Sequence, residues 1–119
     1  MKLVKSKSVV VSIYIGGDLE QAKQVCREWC MEAGACVTVE PVDFIYTGGE
    51  ENGVRVGFIN YPRFPADEAY IVERATALAL RLTDRLCQLS FSIVAPTETH
   101  WYSRRPDDLH PSGGDRHGE

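Results

Sequence analysis

From Ile71 onward, apolar side chains return every three or four residues: Ile71, Ala75, Leu78, Leu82, Leu86 and Leu89. Glu73, Arg74, Arg81, Asp84 and Arg85 take the opposite side. That spacing describes a helix with one apolar stripe, and such a stripe has to be buried against another layer. With 119 residues there is room for one domain and one core. The fold therefore depends on what this helix covers.

Strand patterns supply the other layer. Ser8 to Ile15 is rich in β-branched residues and reads as a strand buried on both faces, ended by Gly16-Gly17. Asp18 then stands at an N-cap position, before a stripe of Leu19, Ala22, Cys26, Trp29, Cys30 and Ala33 that stops at Gly34. A second strand runs from Cys36 to Tyr46. Its apolar phase changes at Pro41, where a bulge would reconcile Val37 and Val39 with Val42, Phe44 and Tyr46. Proline also argues for a sheet edge. The polar turn Thr47 to Gly53 leads into a third strand, Val54 to Tyr61, making a hairpin.

Asn60 to Pro65 connects to the second helix, which is expected to begin at Pro65 or Ala66. Ser90 to Ala95 is a fourth strand, and Thr99 to Arg104 has the aromatic content of a fifth. From Pro106 the chain has almost no core-forming residues, so 1–105 is expected as one domain and 106–119 as a disordered tail containing His110 and His117.

Right-handed crossovers then order the sheet 4-1-3-2, antiparallel, with both helices on one face. The fold class is α+β, a ferredoxin-like βαββαβ sandwich with a possible fifth C-terminal strand. Its other face should present Val10, Ser12, Tyr14, Arg55, Ile59, Tyr61 and Val94. A surface so apolar points to a homo-oligomer through the open face, unless the C-terminal segment folds across it.

A net charge of −4 speaks against duplex nucleic acid as a partner. No apolar run reaches the roughly 18 residues of a membrane span. Lys2, Lys5 and Lys7 precede Val9 to Ile15, but no Ala-x-Ala cleavage site follows, so the expected location is cytoplasmic. Cys26, Cys30, Cys36 and Cys87 lack a C-x-x-C spacing. They read as buried thiols of a reduced compartment, against a metal reading that would enlist Cys36 and His100. No cofactor and no metal are expected.

Two ends of the sheet could hold a ligand. At one, Gly16 and Gly17 precede a helix N-terminus, an anion-binding geometry, although Asp18 at the cap would repel phosphate. The other gathers Asn60, Tyr61, Arg63 and Phe64 with His100 and Trp101, suited to a planar anion such as a nucleotide. Arg104 and Arg105 complete the candidate set, though a fifth strand would carry them to the first end. The alternative is that Tyr61, Phe64 and Trp101 close the core and the charges are solvated.

Catalytic motifs are lacking. His100 is the one histidine outside the tail, with no identifiable nucleophile partner. Glu50-Glu51 falls in an exposed turn, where carboxylates make poor general acids.

The stretch from Tyr46-Thr-Gly-Gly through Gly57-Phe-Ile-Asn-Tyr-Pro-Arg-Phe-Pro65, with Trp101-Tyr-Ser-Arg-Arg105, resembles small uncharacterised proteins of tailed bacteriophages. The resemblance covers roughly half of the chain and implies a compact accessory protein that binds a host protein or sequesters a host signal. It assigns no functional residues. The sequence thus favours a non-enzymatic, oligomeric protein that sequesters a small anionic, nucleotide-like molecule or inhibits a host protein. The alternatives are a small enzyme acting on a phosphorylated or acyl substrate through His100, and a nucleic-acid-binding regulator.

Overall fold

The computed structural model describes residues 1–109. Its elements follow the order β1 (Val10–Gly16), α1 (Leu19–Ala33), β2 (Thr38–Tyr46), β3 (Gly49–Ile59), α2 (Glu68–Arg85), β4 (Ser90–Val94) and β5 (Thr99–Ser103). The five strands form one antiparallel sheet ordered β2-β3-β1-β4-β5. This is the expected ferredoxin-like α+β sandwich, with the fifth strand added beside β4.

The core lies between sheet and helices. Val11, Ile13 and Ile15 of β1 pair across to Phe58, Val56 and Val54 of β3, and all are buried. Ile71, Ala75, Leu78, Ala79 and Leu82 of α2 and Ala22, Val25, Cys26 and Trp29 of α1 cover them. The apolar stripe of α2 ends one turn early: Leu86 is buried, whereas Leu89 lies beyond the helix and is 48% exposed. Asp18 and Asp67 cap the helices, accepting from the amides of Gln21 and Tyr70. Asp67 thus sets the start of α2 at Glu68 rather than at Pro65 or Ala66, because its carboxylate takes an amide that the first turn leaves unpaired.

Four further expectations change. First, the open face of β1 is covered only in part: Ser12 is buried beside Arg55, whereas Val10 is 49% exposed. Second, Pro41 causes no bulge. Pairing runs without interruption from Thr38↔Gly57 to Tyr46↔Gly49. Pro41 is nevertheless on the edge strand, where a missing amide costs no ladder bond. The apolar phase changes because the strand changes surroundings: Val39 faces the helix layer, whereas Val42, Phe44 and Tyr46 lie on the open face.

Third, the glycine-rich turn shrinks to Thr47-Gly48, with Gly48 at φ 91°. Residues 49–52 belong to β3 and extend past Gly53, the last partner of β1. The hairpin therefore projects beyond the rest of the sheet. Fourth, Pro106–Leu109 forms one 3-10 turn, tied back by Asp108 N–H to Arg105 O. The remainder of the expected tail, with His110 and His117, lies outside the described residues.

No helix among the described residues is long and apolar enough to cross a membrane.

Candidate functional site

The open face divides into three zones. At its centre Arg55 pairs with Glu40 and donates Nε–H to Ser12 Oγ at 3.2 Å. Toward one end lie the exposed apolar residues Val10, Ile59 and Val94. Toward the other, the projecting hairpin and β4–β5 rise on either side of β1 and enclose a cleft of about 780 Å³.

Strand alternation builds this first cleft. Tyr14 and Gly16 of β1, Phe44 and Tyr46 of β2, Ser90 and Ser92 of β4 and Trp101 of β5 all point to the open side. Glu51 stands opposite Phe44 across the hairpin and reaches back over Gly16. A methyl group at Gly16 would collide with Glu51 Oε2 and stand 2.8 Å from Gln88 Oε1, so glycine is what lets the carboxylate approach. Arg105 closes the rim. Neither Glu51 nor Arg105 has an ion-pair partner among the described residues. The cleft thus combines four aromatic rings with one free carboxylate and one free guanidinium.

A second cleft, of about 660 Å³, opens at the opposite end of the molecule. Phe58, Ile59 and Ile71 contribute apolar surface, and Tyr61, Arg63, Phe64, Tyr70 and Arg74 also line it. The Tyr61 hydroxyl donates to Cys36 Sγ at 3.2 Å, and that bond, with partial burial, holds the phenol above its usual pKa. Burial pushes Cys26 up to about 11 and raises Cys30 as well. All four cysteines are free, and no group of three or more His, Cys, Asp or Glu among the described residues is placed to hold a metal.

The structure separates the residues that the sequence grouped as one ligand site. Tyr61, Arg63 and Phe64 line the second cleft, whereas Trp101 and Arg105 line the first. Asn60 lines the second cleft, but its side chain holds the chain in place: Nδ2–H donates to Lys7 O at 2.7 Å and Oδ1 accepts from Ala66 N–H at 2.9 Å. Arg104 clamps the end of α2, donating to Thr83 O, Gln88 O and Asp84 Oδ1. His100 points to the helix side of β5, opposite Ile93, with Nε2 2.7 Å from Glu98 Oε2. No hydroxyl or thiol is among its hydrogen-bond partners within the described residues.

At the Gly16-Gly17 turn Asp18 occupies the N-cap of α1, and three nearby amides are bonded within the chain. Gln21 N–H goes to Asp18 Oδ2, Ala22 N–H to Asp18 O, and Gly17 N–H to Asn52 O. Gly16 lines the floor of the first cleft.

Sequence reasoning missed Glu51 because it placed residues 50–53 in a turn. The signal was available in the pattern Val42, Phe44, Tyr46. Closing the hairpin at Thr47-Gly48 puts Glu51 beside Phe44.

No family model and no curated protein sequence matches the chain. Among solved structures, a phage SAM lyase in its apo state superimposes with a TM-score of 0.70 at 14% identity, covering 88% of this chain and 96% of that one. A phage SAM lyase in complex with S-methyl-5'-thioadenosine gives 0.65 at 14% identity, covering 87% and 95%. At this identity the likeness establishes the fold. Both neighbours are phage proteins, in line with the resemblance noted above. They also conflict with the expected non-enzymatic sequestering protein, since both are lyases; the alternative of a small enzyme comes closer, although SAM is not the phosphorylated or acyl substrate expected of it.

Proposed function

We propose that this chain is an enzyme that cleaves S-adenosylmethionine and releases S-methyl-5'-thioadenosine in the first cleft. One observation carries the reading: Glu51, Arg105 and four aromatic rings share one concavity on a fold whose solved neighbours are SAM lyase. The substrate carries an adenine, a sulfonium cation and a zwitterionic amino acid. Ring faces suit both the adenine and the sulfonium. The guanidinium of Arg105 suits the carboxylate, and Glu51 suits a cationic group.

The product dictates the bond that breaks. Releasing the thioether cleaves the bond from sulfur to the γ-carbon of the methionyl chain, and its electron pair stays on sulfur. The substrate's own carboxylate supplies the new pair by closing on that carbon to form a lactone. No enzyme nucleophile and no water is consumed. The protein's part is to hold the chain folded and exclude water, since opposite charges that cancel do so faster in a drier site.

Copies of the chain would associate through the apolar half of the open face, where Val10, Ile59 and Val94 adjoin. A reducing cytoplasm suits the four free thiols.

The test is chromatography of S-adenosylmethionine incubated with the purified chain. Thioadenosine release is expected, falling about 100-fold in Glu51→Gln, together with a rise in melting temperature on adding thioadenosine. Substrate left intact, with no thermal shift, would remove the proposal.

A further inference from the structure

The second cleft holds positive charge that the fold leaves uncompensated. Arg63 and Arg74 both line it, and no Asp or Glu does, in a chain whose net charge is −4. Arg63 has no carboxylate partner among the described residues; its guanidinium rests 5.5 Å from the centroid of Phe64. Arg74 is held rigidly instead. It stacks over Trp29 at 5.3 Å and Tyr70 at 5.5 Å, and donates to Tyr70 Oη, Ala33 O and Gly34 O. Those bonds leave its Nε–H without a partner among the described residues, so the group is oriented yet not saturated. Phe64 is 74% exposed beside an apolar wall of Phe58, Ile59 and Ile71.

A flat ring on Phe64 and the apolar wall, with its anion between two guanidinium groups, would satisfy both features. Two positive charges match a phosphate dianion better than a single carboxylate. The volume of about 660 Å³ falls inside the range of small-molecule sites.

We infer that the second cleft is a separate ligand site for an aromatic ring bearing a phosphate, of the size of a nucleoside monophosphate, with Arg63 and Arg74 holding the phosphate and Phe64 the ring. This inference does not rest on the lyase reading, because it concerns the opposite end of the molecule.

The two tryptophans allow a direct test. Trp101 belongs to the first cleft and Trp29 lies under Arg74. In a Trp101→Phe background, Trp29 emission reports the second cleft alone. Titration with adenosine 5'-monophosphate should change that emission saturably, and adenosine should bind at least about tenfold more weakly. Arg63→Glu and Phe64→Ala, both changes of exposed side chains, should each weaken the monophosphate by about tenfold or more in that background, while thioadenosine release persists when the same changes are made with Trp101 intact. The inference is overturned if the monophosphate leaves Trp29 unchanged, if adenosine binds equally well, or if Arg63→Glu binds like its parent.

Discussion

The two ends of this molecule hold clefts of similar size with opposite electrostatic design. The first sets one carboxylate and one guanidinium among aromatic rings. The second sets two guanidinium groups among aromatic rings and no acid. Balanced charge fits a ligand that is itself charged both ways, and unbalanced charge fits an anion. The clefts also differ in how they are made. The first is a product of strand alternation on the open face, whereas the second is a product of a connection, residues 60–66, folded against helix ends.

Charge substitutions give the largest expected effects and test the comparison directly. Glu51→Gln should cut thioadenosine release about 100-fold and leave the monophosphate titration of Trp29 unchanged. Arg63→Glu should do the reverse. Loss of both properties in either variant would mean that the two clefts act as one site.

Next come two backbone supports, one at each end. Gly17 has φ 130°, and an added Cβ would stand 2.9 Å from Leu86 Cδ1. Gly17→Ala therefore strains the backbone and crowds a buried leucine, for a loss of about 2 kcal/mol. Asn60→Ala deprives Lys7 O and Ala66 N–H of their partners, at a similar cost of about 2 kcal/mol. Urea unfolding reads both. The comparison sharpens if Gly17→Ala lowers cleavage more than monophosphate binding and Asn60→Ala does the opposite.

These supports show how much of the molecule was legible beforehand. The helix stripes, the capping Asp18, the strand order and the edge position of β2 follow from local patterns and crossover handedness, which the sequence displays, whereas the cap at Asp67 was hidden behind Pro65 and Ala66, which suit a first helical turn as well. Site residues followed less well because they depend on register. Shortening one turn by a few residues moved Glu51 from solvent to the rim of a cleft. Likewise Asn60 and Arg104 carry the polar groups of binding residues, yet backbone carbonyls and amides distant in sequence claim them. No spacing rule announces such partners.

A pH dependence follows from the thiols near the second end. Cys26 has its folded pKa raised by burial to about 11, from an ordinary value near 9. The native state therefore keeps a proton that the unfolded chain gives up. That stabilisation is complete below pH 9 and is lost as pH rises toward 11. The urea midpoint should fall across this window, and Cys26→Ala should flatten the decline. An equal slope in both proteins would show that the thiol is not the cause.

The smallest effect is expected at Cys87, the one non-glycine residue with positive φ among the described residues, at 57°. It closes α2 in a Schellman arrangement: its own N–H reaches Asp84 O and Gln88 N–H reaches Thr83 O. A side chain in this conformation costs about 1 kcal/mol relative to glycine. Glycine, however, gives the unfolded chain more freedom, which offsets part of the gain. Cys87→Gly should therefore stabilise by only about 0.5 kcal/mol, a small upward shift in the urea midpoint. The thiol also lines the first cleft, so the same variant examines its chemistry. If the substrate's carboxylate is the attacking group, removing this sulfur leaves thioadenosine release intact. A variant that is more stable but inactive would instead make Cys87 the nucleophile and overturn the lactone route.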